Sequence, residues 1–257
     1  MTESACPAYN PARKYFRYLD KLKSVRQLNL LSNGYTPYLE GDRIQRETFQ
    51  KVRDREVDDT LIIVEFEPTY TAGRRTKPED ILNTDLPVIE VDRGGSVTWH
   101  GPGQLVIYPI VRLGEPVDRI KYIRAVEAAV VEAIRDTWNL PVEIIEGRAG
   151  VWMRNPDRKI CALGLKVAQN TTMHGLALNL YPNFDNAFTG IIPCGLNDAG
   201  VTSLQQEGIT TTLQEAADAL VKKLNEHLRP LLWATVGDQL DASAQIQQTP
   251  SQTGKEA

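Results

Sequence analysis

The sequence has few cysteines and few histidines. Cys6, Cys161 and Cys194 stand far apart, their number is odd and no CxxC pair occurs. That excludes a disulfide framework and a cysteine-rich zinc site, and it fits a reducing compartment. His100, His174 and His227 show no HExxH spacing, so no metal site is expected. There is no GxxxxGK[ST] phosphate loop. The stretch GPGQLV at 101–106 lacks the third glycine of a dinucleotide fingerprint and leads into a strand pattern. No cofactor is expected. Basic excess is missing as well: the formal net charge is −4, which argues against nucleic acid as the main partner. No run approaches the roughly 20 apolar residues of a membrane span, and the amino-terminal residues lack the apolar stretch of a signal peptide. The expectation is a cytoplasmic protein with no membrane partner.

What is present is enough for a proper core: 257 residues, 42% of them hydrophobic. Residues 1–24 and 234–257 are polar and irregular and read as flexible or disordered tails around one domain, 25–233. The pattern predicts a strand at 25–32, a charged helix at 38–59, a central strand at 60–67, and two strands around a glycine-rich loop at 88–110. A helix follows from Asp118 to Trp138, with Ile123, Val126, Val130 and Ile134 on one face. Strands at 142–146, 149–153, 159–168 and 171–181 are joined closely enough to be antiparallel neighbours. A last helix at 211–228 carries a capping box, Thr212 with Glu215, and a stripe of Leu213, Ala217, Leu220, Leu224 and Leu228. The fold class is α+β, a mainly antiparallel or mixed sheet flanked by helices.

Two clusters carry chemistry. In RGGSVTWHGPGQ (93–104), Arg93 can clamp a carboxylate or phosphate, Gly94 and Gly95 let a ligand reach main chain, and His100 can exchange a proton. The same residues also read as a hairpin turn whose glycines serve positive φ and whose arginine pairs with a surface acid. The second cluster joins KICALGLKV, TTMHGLALN and IIPCG. A thiol of ordinary pKa, about 8.5, is only slightly ionised at neutral pH, so a nucleophile at Cys194 needs a cation or base nearby. Lys159, Lys166 and His174 are on offer; Cys161 reads as core, Cys6 as inert, and Lys166 as a residue that can simply face water. In an unbroken strand Lys159 and Cys161 share a face and Lys166 points the other way, unless Gly164 introduces a bulge. Taken alone, Cys194 is either a small buried hydrophobe or a thiol held out at a bend.

The segments PTYTAGRR (68–75), RGGSVTWHGPGQLVIYPI (93–110), GRAGVWM (147–153), KICALG (159–164), HGLALN (174–179) and IIPCG (191–195) resemble the lipoate-protein transferases, octanoyl-[acyl-carrier-protein]:protein N-octanoyltransferases, over about residues 25 to 230. The resemblance implies that Cys194 takes the octanoyl group from octanoyl-acyl carrier protein as a thioester, with Lys159 as its partner and His174 as a possible acid or base. It implies substrate contacts at Arg93, Gly94, Gly95, Ser96, Val97, Thr98, Trp99 and His100, at Ala162, Leu163 and Gly164, and at Gly175, Leu176 and Ala177. The acceptors it implies are lysines of lipoyl domains in 2-oxoacid dehydrogenase complexes and of the glycine cleavage H protein. The implied fold is that of the biotin protein ligase and lipoate ligase catalytic domains. Small residues at 162–164 and 175–177 suit a narrow acyl slot, worth up to about 0.8 kcal/mol per buried methylene. Arg74 and Arg75 are candidates for a basic rim facing acidic partners. Two alternatives stay open: an ATP-dependent lipoate ligase on the same scaffold, and a non-catalytic acyl-carrier binding module.

Overall fold

Apolar runs at 60–64 and 104–110 are buried on both faces, as a strand between two layers must be. The computed structural model describes residues 25–82, 84–192 and 198–233; the two expected tails, Cys6 and Cys194 lie outside the described residues. In chain order the elements are β1 (Arg26–Asn29), α1 (Tyr38–Arg53), β2 (Thr60–Val64), β3 (Thr69–Ala72), β4 (Val88–Glu90), β5 (Thr98–His100) and β6 (Gln104–Ile110). They continue with α2 (Arg119–Trp138), β7 (Glu143–Ile145), β8 (Arg148–Met153), β9 (Arg158–Ala168), β10 (Thr171–Asn179), α3 (Phe184–Ala187), β11 (Gly200–Val201) and α4 (Leu213–Leu228).

Among the described residues, one mixed sheet runs in the order β1-β2-β6-β10-β9-β8-β7, with β11 also pairing to β9. The β7-β8-β9-β10 meander is antiparallel throughout, as its short connections require. β1 on β2 and β11 on β9 are parallel. Helices α2 and α4 cover one face, burying Leu61, Ile63, Leu105, Ile107, Leu176 and Leu178 between them and the sheet. Their ends are chemically set: Asp118 accepts from the Lys121 amide at 2.9 Å, and the Thr212–Glu215 capping box forms as expected. Helix α1 covers the opposite face over Ile62, Val64, Phe66, Val106, Tyr108 and Ala177. No helix among the described residues is long and apolar enough to cross a membrane.

The expectation of two strands in 88–110 is corrected. Three strands form there, and they belong to two sheets: β4 and β5 join β3 in a small separate sheet, while β6 enters the main one. Strands of three or four residues show too little alternation to be seen in a sequence pattern. The small sheet has its own core of Tyr70, Val97, Trp99, Ala187 and Ile191.

Gly41 explains how α1 comes so close. A Cβ at this position would lie 2.4 Å from the Phe66 ring, which is itself fully buried. Glycine to alanine in a helix interior ordinarily stabilises by about 1 kcal/mol. Here Gly41→Ala is expected to destabilise by about 1–3 kcal/mol through overpacking, measured as a lower urea midpoint at unchanged m-value.

Candidate functional site

A cleft lies on the α1 side of the sheet, between β10, β9 and the loop that precedes β5. The space between its walls is small, about 40 Å³, and widens to about 430 Å³ when the open solvent at its mouth is included. Its walls include Arg93, Gly95, Ser96, Thr98 and His100 from the loop and β5, Ala162, Leu163 and Gly164 from β9, and His174, Gly175, Leu176 and Ala177 from β10. Tyr108 of β6, which the sequence reading had not singled out, lines it too. Alternation sorts residues 97–100: Thr98 and His100 face the cleft, while Val97 and Trp99 pack into the small core. Gly94 sits behind the wall, its amide donating to the Leu165 carbonyl at 3.0 Å.

Arg93 holds the loop in place. Its Nη1 donates to the Gly94 and Ser96 carbonyls at 3.0 and 2.8 Å, and Nη2 donates to the Thr71 carbonyl and hydroxyl at 2.7 and 2.9 Å. The guanidinium thus ties its own loop to β3, and the reading of Arg93 as a clamp for a ligand carboxylate or phosphate is not carried forward. The neighbouring glycines make room for it. A Cβ at Gly164 would lie 2.8 Å from Arg93 Cδ, and one at Gly175 would lie 2.1 Å from the Ile107 carbonyl oxygen. These two residues are small because arginine and main chain press on them, a constraint separate from the width of the cleft. Arg74 and Arg75 are exposed beside this loop, their amides donating to the Arg93 and Gly95 carbonyls.

His100 is buried in a chain of neutral hydrogen bonds. Its Nδ1–H donates to Gln104 Oε1 at 2.7 Å, Gln104 Nε2 donates to Asn179 Oδ1 at 2.9 Å, and Asn179 Nδ2 donates to the Thr202 carbonyl at 3.0 Å. Burial first, and the Arg93 charge second, push His100 down to about 3, so the ring is neutral at working pH.

His174 sits at φ 56°, a left-handed conformation uncommon for a side-chain-bearing residue and rarer inside a strand. Gly175 and Ala177 face the cleft, so plain alternation would send His174 to the other side. The positive φ turns its ring back among Tyr108, Gln45 and Asp92. Nε2–H donates to Asp92 at 2.9 Å, and Nδ1 accepts from Gln45 Nε2 at 3.3 Å. With both ring nitrogens engaged and 1% of the residue exposed, the acid or base role for His174 is not retained. Asp92 also pairs with Lys166 and, at 3.3 Å, with Arg46. The His174 bond leads these in holding its carboxyl well below the usual range, against the opposing effect of burial. Lys166 therefore faces the site, contrary to the expectation that it points away.

The reason lies at the start of β9. Val151 pairs with Cys161 but Trp152 pairs with Lys159, so Ile160 is an extra residue, a β-bulge. Ile160 and Cys161 both enter the helix-covered core, and Lys159 is turned to the face of Trp152, over whose ring its Nζ lies 4.6 Å from the centroid. The expectation that Lys159 and Cys161 share a face is corrected; the bulge lies at Ile160, ahead of Gly164. Cys161 is core, as read, and burial pushes its thiol up to about 12. Lys159 is 8% exposed and not among the residues lining the cleft. Cys194 lies outside the described residues. On either side of it, the Ile192 amide donates to the Asp80 carbonyl at 2.8 Å, and Val201 pairs with Lys159 itself.

Sequence reasoning missed Gln45, Asp92 and Tyr108, which lie far apart in the chain. Asp92 had one signal, its place directly before Arg93 in the glycine-rich run. A buried neutral imidazole favours protonation of the unfolded chain. Its contribution to stability is intact above the unfolded value near 6.5 and is lost as pH falls towards 3. His100→Gln is expected to lose about 2 kcal/mol less than the native chain between pH 6.5 and pH 4.5, read from urea unfolding at each pH; equal losses would contradict it.

A family model described as the lipoyl protein ligase A/B catalytic domain matches residues 37–225, which contain every cleft residue named above. The octanoyltransferase of Corynebacterium efficiens is 40% identical over 250 residues, covering 95% of this chain and 96% of that protein. The octanoyltransferase of Thermobifida fusca is 45% identical over 196 residues, 72% of this chain and 82% of that one. Among solved structures, lipoate-protein ligase A bound with ATP superposes with a TM-score of 0.63 at 16% identity, over 80% of this chain and 86% of that one. The bi-partite lipoate protein ligase of Thermoplasma acidophilum gives 0.61 at 15%, over 80% and 84%. At such identities the structural likeness is one of fold. The mixed sheet, its helical layers and the sequence match together place this chain in the lipoyl protein ligase A/B catalytic-domain family.

Proposed function

We propose that this protein transfers an octanoyl group from octanoyl-acyl carrier protein to a lysine of a lipoyl domain, through a thioester on Cys194. The observation that supports this best is a nearly buried lysine, Lys159, on the strand that walls the cleft. The surrounding chain is 40% identical, over 95% of its length, to an octanoyltransferase.

The chemistry balances without ATP. The Cys194 thiolate attacks the donor carbonyl, a new C–S bond forms, and the carrier thiol leaves with the proton that Cys194 gave up. Exchange between two similar thioesters is nearly isoenergetic. The acceptor lysine then attacks, the amide C–N bond forms, and the Cys194 sulfur leaves. The amide is more stable than the thioester, which draws the second step forward. Lys159 stabilises the thiolate as an ammonium in the first step and takes the acceptor's proton once the sulfur is acylated. His174, fixed between Asp92 and Gln45, shapes the cleft. The acyl chain lies against Ala162, Gly164, Gly175 and Ala177. The acceptors proposed are the lipoyl domains of 2-oxoacid dehydrogenase complexes and the glycine cleavage H protein, and the site of action is the cytoplasm.

Two experiments test this. Purified protein with octanoyl-acyl carrier protein and an apo-lipoyl domain should yield the octanoyl amide without ATP; transfer only with ATP and free acid would favour a ligase. Lys159→Ala should slow that transfer at least 100-fold and raise the pH at which Cys194 reacts with iodoacetamide. An unchanged alkylation profile would remove Lys159 from the mechanism.

A further inference from the structure

The ammonium of Lys159 does not reach its position by strand geometry alone. Residues on β8 make a track for it. Gly150 has φ 119°, and a Cβ there would lie 3.5 Å from both Lys159 Cδ and Cε and 2.5 Å from the Cys161 carbonyl oxygen. Its amide donates at 3.2 Å to Glu127, a fully buried carboxylate of α2 that Arg124 binds at 2.7 Å. Two residues on, Trp152 lies on the same face with its ring beneath the Lys159 Nζ, 4.6 Å away. The indole is itself fixed: it is 1% exposed and its Nε1 donates to the Arg148 carbonyl at 3.3 Å. The Arg148 guanidinium lies 5.9 Å from the same ring and pairs with Asp198.

An indole face carries negative quadrupole density and attracts a cation while giving little to a neutral amine. The bulge at Ile160 places Lys159 there instead of in the core. We propose that Trp152 is the positioning residue for Lys159: the indole face fixes where the ammonium sits. The consequence for transfer rests on the role given to Lys159 above, whereas the contact itself can be tested without transfer.

The test uses the full chain with Trp152→Leu and Trp152→Phe. The first readout is labelling of Lys159 by an N-hydroxysuccinimide ester at neutral pH, quantified by peptide mass spectrometry. Trp152→Leu should raise labelling at least threefold, and Trp152→Phe, which keeps an aromatic face, should fall between it and the native protein. The second readout is octanoyl transfer. Trp152→Leu should lower kcat about tenfold with KM within twofold, and should cause no further loss in a Lys159→Ala background. If Trp152→Leu does not fold, Trp152→Met takes its place. Unchanged labelling in a folded variant overturns the proposal, as does a loss that adds fully to that of Lys159→Ala. Native transfer by Lys159→Ala would sink the assigned role of Lys159, with the labelling alone still deciding the contact.

Discussion

The cleft has its loop wall because a buried guanidinium binds three main-chain carbonyls and one hydroxyl. Four hydrogen bonds from Arg93 to Gly94, Ser96 and Thr71 bend residues 93–96 into a wall and tie that wall to β3. A buried cation without such partners would cost several kcal/mol. Three glycines nearby answer to it. Gly164 leaves room for the arginine stem, Gly73 leaves room for the loop carbonyls, and the Gly94 amide anchors the loop on β9. The loop at 93–96 is thus shaped around one charged side chain, and the cleft lies beneath it.

Two departures from regular strand geometry then bring the polar groups to one face. The left-handed turn at His174 rotates its ring towards Asp92, and the bulge at Ile160 rotates Lys159 away from the core. Without them, alternation would bury both residues among the leucines under α2 and α4. Strain of this kind persists only where surrounding contacts over-determine it. Gln45 does so at His174, bonding both its ring and its amide. The polar groups around the cleft are held by partners: His100 is neutral within an amide chain, and half-buried Asp92 is ionised among Lys166, Arg46 and His174.

Much of this was legible in the sequence for a physical reason. Helices α2 and α4 announce themselves by apolar spacing and capping, and the β7–β10 meander by its alternating runs and short turns. Segments 162–164 and 175–177 meet because β9 and β10 pair through them, and the loop at 93–96 is bonded over β9 at Leu165. What could not be read was local: strands of three residues, a one-residue bulge that inverts the facing of Lys159, and a positive φ at a residue other than glycine. Parity arguments fail at such points, which is why Lys166 was expected to face away and Cys161 to share a face with Lys159. Gln45, Asp92 and Tyr108 are linked to the site only by tertiary contact, and a linear pattern does not encode that.

The central claim is that a thioester on Cys194 carries the acyl group between two proteins. Intact-mass spectrometry of the full chain after incubation with octanoyl-acyl carrier protein, without an acceptor, tests it most directly. The account predicts a single octanoyl adduct, mapped to Cys194, removed by hydroxylamine and absent from Cys194→Ala. An acceptor-dependent product formed at native rates by Cys194→Ala, or an adduct on another residue, would contradict it.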